Sequence, residues 1–178
     1  MAAFDIALPV TEPDTEWVRG RPLQKVSPRR THSRLQSAML LTLREWAGNR
    51  GEVGVEWRFR VAPPGEPARP LVPDVSYVSI ERLRGLRGED LEVPRLAPDV
   101  AVEILSPGDR RPDVDDKIAT YLSAGSALVI VVDPKRRAVE LHDAAATTTL
   151  REGDALTHPR LPGFELSVAE LFATISPP

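Results

Sequence analysis

A mixed α/β domain, one central sheet flanked by helices, is the fold class the sequence predicts, and three patterns predict it. Leu35, Met39 and Leu43 recur at four-residue steps, the apolar stripe of a helix lying on a sheet. Two short apolar strands each open on Pro-Asp, Pro73-Asp74-Val75-Ser76-Tyr77-Val78 and Pro98-Asp99-Val100-Ala101-Val102-Glu103-Ile104-Leu105. Leu128-Val129-Ile130-Val131-Val132 is a continuous apolar run, which marks a strand buried on both faces and therefore central.

The remaining elements follow in chain order. Residues 1–13 read as a loosely held arm, because Leu8-Pro9 and Glu12-Pro13 interrupt every periodic pattern. From Trp17 to Val26 apolar and polar residues alternate around Gly20, as in a short hairpin that Ser27-Pro28 ends. The first helix opens near Thr31 or His32 and stops at Gly48-Asn49. Glu52 to Val61 alternates as one strand, with Val53, Val55, Trp57, Phe59 and Val61 on one face and Glu52, Glu56, Arg58 and Arg60 on the other. Pro63-Pro64-Gly65-Glu66-Pro67 is a turn, and the charged stretch between Ile80 and Ala97 is a loop with a short helix. Ser106-Pro107-Gly108-Asp109 turns into a helix from about Pro112 to Ser123, with Asp113, Asp115 and Asp116 toward the positive end of its dipole. After the buried run, Pro134 to Arg137 turns into Ala138–His142 as the second arm of a hairpin, and Thr147 to Arg151 extends the sheet. Ser167 with Glu170 three residues on has capping-box spacing for a final short helix.

A chain of 178 residues suits one domain spanning residues 1–178. Its 42% apolar and 28% charged residues exclude a disordered chain. No run approaches the roughly 18 apolar residues of a membrane helix, and Met1-Ala2-Ala3-Phe4-Asp5 lacks the basic start of a signal peptide, so no membrane association and a cytoplasmic setting are expected. The absence of cysteine removes disulfides, thiolate ligands and cysteine nucleophiles together, which leaves oxygen or imidazole for any metal. A net charge of −3 is not that of a general nucleic-acid coat; three basic groups, at residues 29–34, 82–87 and 135–137, could each touch phosphate but read first as solvated surface. No G-x-S-x-G elbow or G-x-x-x-x-G-K loop occurs, which sets serine hydrolases and P-loop enzymes aside.

Strand alternation places Asp99, Ala101, Glu103 and Leu105 on one face and the aliphatic Val100, Val102 and Ile104 on the other. A carboxylate in so apolar a strand meets water, pairs with a cation or binds a metal. If the strand of Asp74 neighbours that of Glu103, the two acids come within metal-bridging range, and Mg²⁺ suits such a pair. Lys117 on the following helix would then add positive charge near a scissile phosphate. Simpler readings stand beside these: Asp74 and Asp99 as strand-entry residues, Glu103 as one half of a salt bridge, Lys117 as an i,i−4 partner of Asp113.

The order of Glu16-Trp17-Val18-Arg19-Gly20, Ser27-Pro28, His32, Pro73-Asp74, Ala97 to Pro107, Asp116-Lys117, Tyr121, Gly125 and Val132-Asp133-Pro134 resembles the Uma-type family of restriction-endonuclease-like proteins, a branch of the PD-(D/E)XK nuclease superfamily. The resemblance covers about residues 16–142, and Leu161-Pro162-Gly163-Phe164 with its helix is similar to the family's ending. It implies a restriction-endonuclease-like core with Asp74 and Glu103 as metal-binding acids, Lys117 as catalytic lysine, and His32 in a family position; Asp99, Glu56 and Tyr121 are further supporting candidates. The superfamily places its lysine two residues after the second acid, where this chain has Leu105, so Lys117 on the next helix is expected to take over. A Mg²⁺-dependent endonuclease acting on DNA, with Mn²⁺ as substitute and a homodimeric assembly, is the expectation. The alternative is a nuclease fold without cleavage that serves as a nucleic-acid-binding or regulatory module.

Overall fold

The structure, a computed structural model, describes residues 5–178. In chain order its elements are the hairpin β1 (Thr15–Val18) and β2 (Arg21–Gln24), helix α1 (Arg30–Ala47), β3 (Gly51–Val55), the hairpin β4 (Phe59–Val61) and β5 (Arg69–Leu71), and β6 (Val75–Ser79). The short helices α2 (Ile80–Leu83) and α3 (Glu89–Glu92) follow, then β7 (Val100–Ile104), α4 (Arg111–Ser123), β8 (Leu128–Asp133), β9 (Ala138–His142), β10 (Thr147–Leu150), the hairpin β11 (Ala155–His158) and β12 (Leu161–Ser167), and α5 (Val168–Ala173).

Six of these strands form the central sheet in the order β10-β9-β8-β7-β6-β3. Only β7 and β8 run parallel, joined by α4, and every other neighbouring pair is antiparallel. The apolar run Leu128 to Val132 is buried within β8, inside the sheet, as its composition requires. Alternation divides the sheet into two cores. Val75, Val102, Ile104, Ile130 and Val132 face α1, α5 and β12, while Val78, Ala101, Val129 and Val131 face α4 and the two N-terminal hairpins. Leu35, Met39, Leu43 and Ala47 of α1 are buried in the first core, where Trp46 meets Tyr77 edge-on at 5.0 Å between ring centroids. Val114, Ile118 and Tyr121 of α4 seal the second.

The single strand expected from Glu52 to Val61 is two. Glu56 takes a left-handed conformation at φ 49°, which breaks the run and turns the chain to the opposite side of the sheet. Val53 therefore packs on the α1 core, whereas Phe59 and Val61 of β4 enter the α4 core. Period-2 alternation continues across such a break in the sequence, so it hides the change of core. Residues 1–4 of the expected loose arm lie outside the described residues; Ile6 N–H donates to Ala68 O at 2.8 Å and Asp5 pairs with Arg95, so the arm from residue 5 is tied to the body. The β11–β12 hairpin was not separately anticipated, because Pro162-Gly163 reads locally as a turn; Gly163 sits within β12 at φ 78°. Among the described residues no helix is long and apolar enough to cross a membrane.

Candidate active site

Strand register brings the two acids together. β6 and β7 pair with Val75 against Val102, and the Asp74 N–H donates to Val102 O at 3.0 Å, so Asp74 and Glu103 stand opposite one another one step further along. Directly opposed residues in such a pair have Cβ atoms roughly 4.5–5.5 Å apart, and two like charges there destabilise the pairing unless cations intervene. Two lysines intervene. Lys117 Nζ lies 2.6 Å from Glu103 Oε2, and Lys25 Nζ lies 2.8 Å from Asp74 Oδ1.

Lys117 reaches the strand because Asp113, Lys117 and Tyr121 fall at four-residue steps along one stripe of α4. It does not pair with Asp113. That carboxylate is taken by Arg21 at 2.8 Å and Arg19 at 3.4 Å, which clamp the β1–β2 hairpin onto the helix. Lys117 donates also to Glu16 Oε2 at 2.9 Å, and Tyr121 Oη donates to Glu103 Oε1 at 3.2 Å. The Lys117 amine thus reaches Glu103 from α4, while Leu105 packs against the α4 core.

Asp74 is held from three sides. Its Oδ2 accepts the Ile104 N–H at 2.6 Å and lies 3.3 Å from His32 Nε2 at the start of α1. Gln36, one turn on, donates to Asp74 O and to Glu56 Oε1, both at 2.9 Å. Glu56, whose side chain is 41% exposed, forms the rim and accepts from Lys25 at 2.8 Å. The structure thus gathers Asp74, Glu103, Lys117, His32, Tyr121 and Glu56, and it excludes Asp99. Asp99 accepts from Ser79 N–H at 2.7 Å and from Arg82 at 3.2 Å, anchoring the far end of β7. It stands four residues from Glu103, roughly 13 Å at strand rise.

Sequence reasoning missed Glu16 and Lys25. Glu16 is buried, accepting Val72 N–H at 2.7 Å besides Lys117, and it opposes Leu23 across the hairpin. Lys25 follows Leu23 at a two-residue step and shares that face. A usable signal was present, since the chain has only three lysines, Lys25, Lys117 and Lys135, in a background of arginine, and two of them lie here.

Electrostatics follow from the count of buried charges. Glu16, Asp74 and Glu103 face Lys25 and Lys117, three acids against two lysines, so one acid calls for a proton or a further cation. Burial pushes the Glu103 carboxyl up to about 8; Lys117 opposes the rise, while Glu16 and Asp74 add to it. Burial also acts on Asp74, but Lys25 and His32 overcome it and hold that carboxyl well below the usual range. Burial works against charge on Lys117, yet Glu103 and Glu16 prevail and raise its pKa, so it remains an ammonium.

These residues line one cleft of about 910 Å³, closed by residues 10–14 on one side and the loop after β7 on another. The donors suit a hard divalent cation: carboxylate oxygens of Asp74 and Glu103 line one cleft, where three acids stand against two lysines. Among the described residues no three His, Asp or Glu side chains are grouped to hold a metal alone. Mg²⁺ needs only one or two carboxylates, with water and phosphate oxygens completing its shell.

A family model, Uma2, described as "Putative restriction endonuclease", matches residues 3–169 of the chain. Among solved structures, the crystal structure of a "putative nuclease belonging to DUF820" from Anabaena variabilis superposes with a TM-score of 0.83 at 25% identity, covering 94% of this chain and 94% of that one. No curated protein matches the chain.

Proposed function

The chain belongs to the Uma2 family, described as "putative restriction endonuclease", and on that premise we propose that it is a Mg²⁺-dependent nuclease hydrolysing phosphodiester bonds in DNA. Asp74 and Glu103 would hold the ion, with Mn²⁺ as a substitute, and Lys117 is the catalytic lysine. The observation that carries this reading is the Lys117 amine beside Glu103, 2.6 Å away, across the strand pair from Asp74. Lys117 is free to reach Glu103 because Asp113, one turn away, is served by arginines.

When bound, the ion would polarise the phosphate and ease deprotonation of the attacking water. The chain's own residues supply the rest. Lys117 stays protonated beside Glu103 and Glu16, so it acts through its charge: it orients the incoming water and stabilises the negative charge that grows on the phosphate oxygens. Tyr121 and Glu16 fix the positions of Glu103 and Lys117 by hydrogen bonds. Hydrolysis adds one water across one P–O bond, the incoming oxygen losing a proton and the leaving oxygen gaining one. Carboxylates repel phosphate unless a cation lies between them, so substrate affinity in this cleft depends on the ion. We further propose a homodimer, because cutting a duplex requires action on both strands and two-fold pairs are the commonest assemblies.

The test is cleavage of supercoiled plasmid with Mg²⁺ and with a chelator. Wild type should nick only with Mg²⁺, and Glu103→Gln and Lys117→Ala should each lose about 100-fold or more. Full activity in Lys117→Ala beside an inactive Glu103→Gln would return Lys117 to a structural role. DNA binding without cleavage by a protein that binds Mg²⁺ would favour the regulatory module.

A further inference from the structure

The ammonium of Lys25 sits in an oxygen cage. Its Nζ is 2.8 Å from Asp74 Oδ1, 2.8 Å from Glu56 Oε2 and 2.9 Å from Val72 O, so its three N–H donors meet two carboxylates and one backbone carbonyl. Carboxylate and carbonyl oxygens around one charge are also what a hard metal cation takes. The side chain is 13% exposed, and it comes from a hairpin that is not part of the central sheet.

The two Asp74 oxygens are not equivalent. Oδ2 is fixed by the Ile104 backbone N–H at 2.6 Å and faces His32. Oδ1 is bound by Lys25, a flexible side chain. A metal bridging Asp74 and Glu103 therefore has Oδ1 as its available ligand, and that oxygen already carries a cation. Two cations on one buried carboxylate oxygen repel strongly, because little solvent lies between them to screen the charge.

We propose that Lys25 is a built-in occupant of the cation position at Asp74, and that a divalent ion enters by displacing it. This inference rests on the reading of Asp74 and Glu103 as metal ligands. Lys25 neutralises Asp74 while no ion is bound. Its route out is set by Glu56, the exposed member of the cage at the rim: the ammonium follows that carboxylate toward the mouth of the cleft. There it faces an incoming phosphodiester. Lysine suits the exchange better than arginine, since it is a point charge on a flexible stem and not a planar fork locked to its acceptors.

The experiment is calorimetric titration of Mg²⁺ into wild type and Lys25→Met, whose unbranched side chain is one atom shorter and carries no charge. Competition predicts that Lys25→Met binds at least tenfold more tightly. Equal or weaker binding by a folded Lys25→Met, with wild type binding measurably, overturns the exchange and leaves the metal site standing. Binding by neither protein overturns the metal site and this inference together. A second measurement uses wild type alone: an amine-reactive ester with mass-spectrometric readout should label Lys25 several-fold more in saturating Mg²⁺, with Lys135 as the surface reference. Unchanged labelling of Lys25 in protein shown by calorimetry to hold Mg²⁺ would equally overturn displacement.

Discussion

Burial raises the pKa of the Glu103 carboxyl from 4.5 to about 8. A group with a raised folded pKa contributes stability below its unfolded pKa and loses it as pH rises through the folded value. Metal-free wild type should therefore lose thermal stability relative to Glu103→Gln between about pH 5 and pH 8.5, a comparison that cancels the other titrations. Asp74 has the opposite sign: its lowered pKa stabilises the fold above about pH 4 and is lost only in stronger acid. Millimolar Mg²⁺ at pH 8 should raise the thermal midpoint of wild type by mass action and leave Glu103→Gln unmoved. An equal shift in both proteins would show that Glu103 is not a ligand. Lys117→Ala strips the shared counterion from Glu16 and Glu103, and a buried pair broken this way costs about 3–5 kcal/mol. Chemical denaturation at pH 7 should show that loss, and adding Glu16→Gln should recover part of it. At this scale Asp74 and Glu103 stand out in the sequence through alternation and the Pro-Asp repeat, and Lys117 through the family resemblance alone. Glu16 and Lys25 do not, because their roles depend on a hairpin docking against α4, a contact with no local trace beyond the scarcity of lysine.

Elements explain where those residues end up. Asp74 and Glu103 face each other because β6 and β7 are antiparallel neighbours in a fixed register, and slipping that register by one residue would turn one acid into the α1 core. Gly51 helps set the neighbouring register of β3 on β6: a Cβ there would lie 2.2 Å from Val78 O, a backbone atom that cannot swing aside. Gly51→Ala should cost roughly 1–3 kcal/mol by denaturant unfolding, the range for overpacking; a change under 0.5 kcal/mol would mean that the strands part without penalty. The helices, the buried strand β8 and its hairpin partner β9 could be read from periodicity, composition and turn residues. Glu52 to Val61 could not, since the left-handed turn at Glu56 leaves the alternation intact while moving the chain between cores. Asp99 failed for a related reason: it shares a strand face with Glu103, but distance along the strand gives it to Arg82 at the other end of the sheet.

For the whole molecule, the net charge of −3 argues against broad electrostatic attraction to DNA, and five of the nine residues in the basic groups noted in the sequence have partners within the chain beyond their sequence neighbours. Arg30 and Arg34 hold C-terminal carbonyls, Arg82 holds Asp99, and Arg136 and Arg137 hold Glu140 and Glu152. Affinity for nucleic acid should therefore depend on the ion in the cleft. Fluorescence anisotropy with labelled DNA should show tighter binding in Ca²⁺ than in chelator, and Asp74→Ala should lose the difference; sedimentation in the same buffers reads whether the binding species is a dimer. The proposed nuclease stands or falls with Asp74 and Glu103 forming a single divalent-cation site under the charge of Lys117. The most direct measurement is an anomalous difference map from crystals of the protein grown with Mn²⁺. The expected result is one peak coordinated by an oxygen of each acid, with Lys25 turned away from Asp74. Full occupancy of Mn²⁺ elsewhere, with the Lys25–Asp74 and Lys117–Glu103 pairs intact, would contradict it.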